Sequence, residues 1–222
     1  MPKRCLLYYI TDRTAFAPDE ATRRRCLLEK ISEAARVGVD YIQLREKDLA
    51  TRSVESLARE AVALLGQLRV QLPQLITKLL INSRTDVALA AGADGVHLRS
   101  DDISPIDLLK IWEHTAVSRQ QAPIIGVSCH SAMEVGQAEA DRATFAVLAP
   151  VFEKKNASSS RPVGLSELRK ACKAKIPVLA LGGVTLENAQ SCLEAGAAGI
   201  AAIRLFQENE IAGVVARLRP FL

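Results

Sequence analysis

Aromatic side chains are scarce in this 222-residue chain: Phe, Trp and Tyr make up 4%, with a single Trp. A surface that binds single-stranded nucleic acid stacks bases on such rings, so a nucleic-acid partner is not expected. Charge of one sign is also in short supply. The net charge is only +4 and the basic residues are scattered, which suits anionic small molecules better than a polyanionic duplex. The five cysteines (Cys5, Cys26, Cys129, Cys172 and Cys192) are odd in number and form no C-x-x-C pair. Free thiols in a reducing cytoplasm are the expectation. No apolar run approaches the roughly 18 residues that a membrane span needs. The opening "MPKRCLLYYITDR" sets basic residues before an apolar run, but Asp12 and Arg13 interrupt it before any cleavage site of small residues. A soluble, cytoplasmic protein without membrane contact is expected.

A Gly-rich nucleotide fingerprint is missing too. After the first apolar run stand Thr11, Asp12 and Arg13, not G-x-G-x-x-G. What the chain does have is alternation. Eight short apolar runs ("CLLYYIT", "YIQLRE", "KLLINS", "GVHL", "PIIGVS", "FAVLAPVF", "PVLALGG" and "GIAAIRL") are each followed by a stretch with helical spacing. Strands alternating with helices imply a parallel sheet with right-handed crossovers. Eight units without the fingerprint favour a closed barrel over an open doubly wound sheet. The expected fold is one (βα)8 barrel domain over 1–222, with one irregular loop at about 153–164.

A recurring junction supports that count. "ARVGVDYI", "AAGADGVHL" and "EAGAAGIAAI" each end a helix in Ala, stop it at Gly and enter a strand. Gly takes the left-handed conformation that terminates a helix. "EADRATFAV" repeats the pattern without the Gly.

In such barrels the site lies at the C-terminal strand ends, so the polar residues ending each run should converge. On "YIQLREKD", alternation puts Gln43, Arg45 and Lys47 on one face and Glu46 on the other. Two cations on one strand tip suit a phosphate or pyrophosphate; the alternative is that Arg45 is paired with carboxylates of neighbouring strands. "LGGVTLENA" brings Gly182 and Gly183 to the seventh strand end, with Thr185 or a neighbour capping the helix that follows; this is a common place for a phosphate in this fold. Arg204, ending the eighth strand, adds charge there. Asp102 is a candidate oxygen ligand for Mg²⁺ or a helix cap, although Ser104-Pro105 is itself a good helix start. "GVSCHS" places Ser128 and His130 on one face and Cys129 on the other, which argues against a Cys–His dyad. His130 is either a general acid–base or a strand-end His satisfied by a carbonyl. His97 and His114 read as structural.

Taken in order, "YYITDR", "YIQLREKDL", "LLINSRTDVALAAGADGVHL", "IIGVSCHS", "PVF", "VGL" and "IPVLALGGVTLENAQSCLEAGAAGIAAI" resemble the thiamin phosphate synthase family and its TenI-type thiazole tautomerase relatives, from about Tyr8 to Phe206. The resemblance implies a barrel, often dimeric, with phosphorylated small-molecule substrates and Mg²⁺. The synthase joins hydroxymethylpyrimidine pyrophosphate to thiazole phosphate and releases pyrophosphate. Carried over by position, Gln43, Arg45, Lys47 and Asn82 match the pyrimidine pyrophosphate site. Asp102 matches one Mg²⁺ ligand, Ser128 a polar residue at the reacting centre, and Gly182–Gly183 the thiazole phosphate loop. Three departures stand out. Ser83 replaces an Asp expected as the second metal ligand. Lys154 and Lys155 stand in a loop arranged differently from the family's. Arg204 occupies a position that is usually small. The tautomerase branch also lacks that Asp and uses a His at the place of His130, whereas it tends to lose the intact Gln-Leu-Arg-Glu-Lys strand kept here. The synthase is therefore the first expectation, the tautomerase the second, and a non-catalytic phosphate-ligand binder the third.

Overall fold

A computed structural model describes residues 4–115, 122–153 and 161–219. The eight apolar runs become eight strands: β1 (Leu6–Ile10), β2 (Tyr41–Leu44), β3 (Lys78–Asn82), β4 (Gly95–Leu98), β5 (Ile124–Cys129), β6 (Phe145–Leu148), β7 (Val178–Ala180) and β8 (Gly199–Ala202). They pair in parallel in sequence order, and β8 closes onto β1 with Leu6 opposite Gly199. Between them run α1 (Glu20–Arg36), α2 (Thr51–Gln71), α3 (Thr85–Ala91), α4 (Pro105–Glu113), α5 (Ala132–Ala140), α6 (Gly164–Ala171) and α7 (Ala189–Glu194). Two more, α8 (Arg204–Gln207) and α9 (Ile211–Leu218), follow β8. The fold is a single (βα)8 barrel.

Strand alternation divides the core in two. Leu7, Tyr9, Ile42, Leu44, Leu79 and Ile81 face outward into the layer under the helices. Tyr8, Ile10, Leu80, Phe145, Val147, Leu179 and Ala201 face inward and fill the barrel axis. The same alternation sends the next inward residue of each strand up to the barrel mouth. Helix starts follow local chemistry: Ser104, not Asp102, caps α4, accepting from the Asp107 N–H, and Pro105 takes the first helical position.

The recurrent helix-to-strand junction is a backbone requirement. Gly38, Gly92 and Gly196 all have positive φ, and at the junction lacking Gly the same place is taken by Arg142 with φ 68°. A side-chain-bearing residue there costs about 1–2 kcal/mol, partly offset by the lower chain entropy loss relative to Gly. Arg142 is exposed. Arg142→Gly should therefore stabilise the protein by about 0.5–1 kcal/mol, measured as a higher urea midpoint at unchanged slope.

Candidate active site

The C-terminal ends of the strands surround a cavity of about 1010 Å³. Gln43, Arg45, Lys47, Asn82, Ser128, His130, Gly182, Gly183 and Arg204 all line it. Arg204 enters from the first turn of α8, just beyond β8 rather than on it. Lys154 lies outside the described residues. Ser83 and Asp102 do not form the cavity wall, whereas His97 and Asn188 do.

The segment after β2 is held by a charge cluster that the sequence did not disclose, with Arg13 and Glu46 buried and Glu20 and Asp48 half-exposed at its edge. All the N–H groups of the Arg13 guanidinium are engaged. Nε and Nη2 donate to Glu20, Nη1 and Nη2 to Asp48, and Nη1 also to Glu46. Glu46, two residues beyond β2 and outside the cavity wall, accepts the Thr11 hydroxyl at 2.5 Å and the Arg13 N–H at 2.9 Å. Thr11 in turn accepts the Arg45 N–H at 3.0 Å. These contacts tie the loop after β1 to the loop after β2 and fix the backbone that presents Arg45 and Lys47. Arg45 itself forms no salt bridge among the described residues. Its half-burial lowers its pKa, with only the charges of Asp12 and Glu46 opposing. A partly desolvated guanidinium without a bound carboxylate is suited to an incoming anion.

The cavity floor is polar at one side. His97 Nε2 lies 2.8 Å from Ser128 Oγ, and His97 Nδ1 lies 3.0 Å from the Tyr8 hydroxyl, which accepts from Gln43 Nε2. Burial, helped by the charge of Arg45 and opposed by Asp102, pushes the His97 imidazole down to about 3, so the ring is neutral. His97 is thus no isolated core histidine. It read as structural in the sequence, and the partners that join it to the site come from β1 and β5, far along the chain. Higher up, His130 Nδ1 lies 2.8 Å from the Ala149 carbonyl. A carbonyl only accepts, so Nδ1 carries the proton and Nε2 of the neutral ring keeps a lone pair. Its backbone N–H donates to Glu134, whose own N–H is capped by Ser131. Cys129 is buried outward among the apolar contacts, and burial pushes its thiol up to about 12.

Across the cavity, Gly182 and Gly183 have φ of 94° and 64°. A Cβ on Gly182 would lie 2.6 Å from the Pro150 side chain, and one on Gly183 would lie 2.4 Å from the Glu153 carbonyl. Both glycines are therefore required by conformation and by space. The helix after this loop starts later than expected, at Ala189. Thr185 does not cap it. The side chain of Asn188 closes the loop instead, accepting from the Thr185 N–H and donating to the Gly183 carbonyl.

Donors for a hard cation do not assemble. Asp102 Oδ2 accepts the Arg99 N–H at 2.7 Å, and Oδ1 lies 3.4 Å from the Arg99 guanidinium, so the carboxylate serves its own loop. Ser83 adopts φ 59° and its Oγ accepts from Asn82 Nδ2. Among the described residues no group of three or more His, Cys, Asp or Glu could hold a metal ion. These residues do not fit a Mg²⁺ site held by the protein itself.

Residues 7–206 match the family model described as thiamine monophosphate synthase. The chain belongs to that family. A thiamine-phosphate synthase of Syntrophomonas wolfei is 34% identical over 218 residues, covering 96% of this chain and 94% of the relative. That of Roseiflexus castenholzii is 35% identical over 204 residues, covering 90% and 80%. A solved thiamine phosphate pyrophosphorylase from Pyrococcus furiosus superposes with a TM-score of 0.76 at 29% identity, covering 99% of this chain and 96% of that one. With the family goes the class: the chain is a transferase of thiamin biosynthesis, of thiamin phosphate synthase type. No helix among the described residues is long and apolar enough to cross a membrane.

The neutral His97 makes a stability prediction. The unfolded imidazole binds a proton near pH 6.5, whereas the folded one refuses it down to about 3. Stability is therefore intact above about pH 6.5 and is lost as the pH falls from there toward about 3. Urea midpoints should drop between pH 7 and 5, and a His97→Gln variant should show a flatter slope over that interval.

Proposed function

We propose that the barrel mouth joins hydroxymethylpyrimidine pyrophosphate to thiazole phosphate, forming thiamin phosphate and releasing pyrophosphate. The observation that carries this reading is Arg45: half-buried, held in place by the Arg13 cluster and without a salt bridge among the described residues. Arg45, Lys47 and Asn82 would bind the leaving pyrophosphate. Gly182, Gly183 and Arg204 would hold the phosphate of the second substrate. The apolar wall of Ile10, Leu181 and Ala201 suits the two heterocycles between them, beside Ser128.

In the reaction the bond from the pyrimidine methylene carbon to pyrophosphate oxygen breaks, and its electron pair leaves with the pyrophosphate. The thiazole nitrogen then donates its lone pair to that carbon. The chain's cations stabilise the departing charge, and the neutral His97 keeps positive charge off the floor where the carbon becomes electron-poor. Mg²⁺, which the family resemblance implies, would find its ligands mainly on phosphate oxygens. The same reading puts the enzyme in the cytoplasm, with a homodimer as the expected assembly.

One observation favours a second reading. The lone pair on His130 Nε2, at the cavity wall, suits a proton transfer on a thiazole carboxylate phosphate, the tautomerase reaction. The deciding experiment supplies the pure protein with both synthase substrates over a range of Mg²⁺, and separately with the thiazole carboxylate phosphate. Thiamin phosphate should form, and His130→Gln should leave its rate within about tenfold, whereas loss of a general base costs about 10²–10⁴-fold. Isomerisation without coupling would establish the tautomerase, and ligand binding without either conversion would establish a binder. Ser83→Asp adds a carboxylate where the second ligand is expected, and should lower the Mg²⁺ concentration giving half-maximal rate.

A further inference from the structure

Four side chains form a continuous hydrogen-bond chain across the cavity floor: Gln43, Tyr8, His97 and Ser128, with steps of 2.8, 3.0 and 2.8 Å. Tyr8 is fully buried, and His97 and Gln43 are nearly so. No water competes for the middle of such a chain, so each group's protons must be shared out among its neighbours.

The sharing has a direction. An amide nitrogen only donates, so the Tyr8 oxygen accepts from Gln43. The one phenolic proton then goes to His97 Nδ1, which must carry a lone pair. A neutral imidazole with an unprotonated Nδ1 holds its proton on Nε2, which donates to Ser128 Oγ. The proton of Ser128 takes no part in the chain, and Ser128 borders the cavity. We propose that Tyr8 and His97 are positioning residues that set Ser128 as a hydrogen-bond donor toward the substrate, so that the substrate atom meeting it carries a lone pair. This rests on the reading of the barrel mouth as the substrate site.

The device is well supported mechanically. The Tyr8 ring is held edge-on to Phe145 and Tyr41, with centroids 5.4 and 5.9 Å away. His97 is held by its strand between β3 and β5. Neither ring can turn over without disturbing the packed axis. Reversal of the whole chain would require Gln43 to present its amide oxygen to Tyr8. Ser128 would then donate to His97 and meet the substrate as an acceptor.

Two measurements on the full chain separate these polarities. In ¹⁵N-histidine-labelled protein, two-bond ¹H–¹⁵N correlation spectra should show His97 as the Nε2–H tautomer, unchanged between pH 8 and 5. A Tyr8→Phe variant retains the ring but removes the donor to Nδ1; His97 should then leave the single tautomer. In the synthase assay, Tyr8→Phe and Ser128→Ala should each lower kcat/KM by about three- to tenfold, and the double variant should be no worse than Ser128→Ala alone. An Nδ1–H tautomer, a protonated ring, or losses that multiply in the double variant would each overturn the proposal. Absence of turnover in the unmodified protein would overturn the synthase reading, while the tautomer would still uphold or overturn the polarity.

Discussion

Eight parallel strands can close into a barrel only if side chains fill its axis, and here three aromatic rings pack together among the aliphatic side chains that fill it. Tyr41 and Phe145 stack with centroids 4.8 Å apart, and Tyr8 stands edge-on against both. Two of the three tyrosines in an aromatic-poor chain sit at this one place. Gly126 on β5 admits the cluster: a Cβ there would lie 2.6 Å from the Phe145 ring and 2.9 Å from His97 Nδ1. The packing that closes the barrel thus also sets the floor of the cavity. His97 cannot be shifted without moving Phe145, and Ser128 takes its partner from His97. Stability and site geometry share the same atoms.

Charge is divided in a complementary way. Arg13 is buried and saturated by three carboxylates, whereas Arg45, a few ångströms of backbone away through Thr11, is left for a ligand. A buried cation must be compensated. The chain compensates the one whose task is architectural and leaves the other half-desolvated at the mouth. On the far side of β1, Gln207 bonds the Tyr9 hydroxyl and the backbone of Asp12, fastening α8, and with it Arg204, to the same loop. Cations from the loop after β2 and from α8 are thereby held by one set of contacts around Asp12 and Arg13.

All eight strands were legible in the sequence, because short apolar runs between helical patterns leave few alternatives. Helix-ending glycines were legible too, and Arg142 shows that the backbone need persists where the residue does not. Alternation gave the inward faces of Gln43 and Ser128 on their strands, whereas Arg45, Lys47 and His130 reach the cavity from the segments just after β2 and β5. What was not legible is pairing. Nothing in "YITDR" says that Arg13 is met by Glu20, Glu46 and Asp48, and nothing in "GVHL" says that His97 joins Tyr8 to Ser128. Periodicity gives the face a side chain takes, but its partner comes from another strand whose height is set only by the closed register. Asn188 was missed for a related reason: its side chain closes the loop back to Gly183, a bond between turn residues that no helix pattern announces.

Ser83 shows how position and chemistry can part. By sequence it reads as a lost metal ligand at the end of β3. In the fold its N–H is bonded to the His97 carbonyl at 2.8 Å, its backbone is left-handed, and its hydroxyl receives the Asn82 amide. A left-handed site at a strand end favours Asn, Asp or Gly over Ser, so the backbone there accommodates an Asp readily. What has changed is charge. Ser83 is neutral and Asp102 is engaged by Arg99, so neither offers a free carboxylate, while Arg45, Lys47, Arg99 and Arg204 line the mouth together with Asp101, Glu153, Glu187 and Glu208. Arg45, which forms no salt bridge among the described residues, is the cation this mouth leaves open for direct pairing with phosphate oxygens, whereas Ser83 and Asp102 as placed do not hold a cation between them.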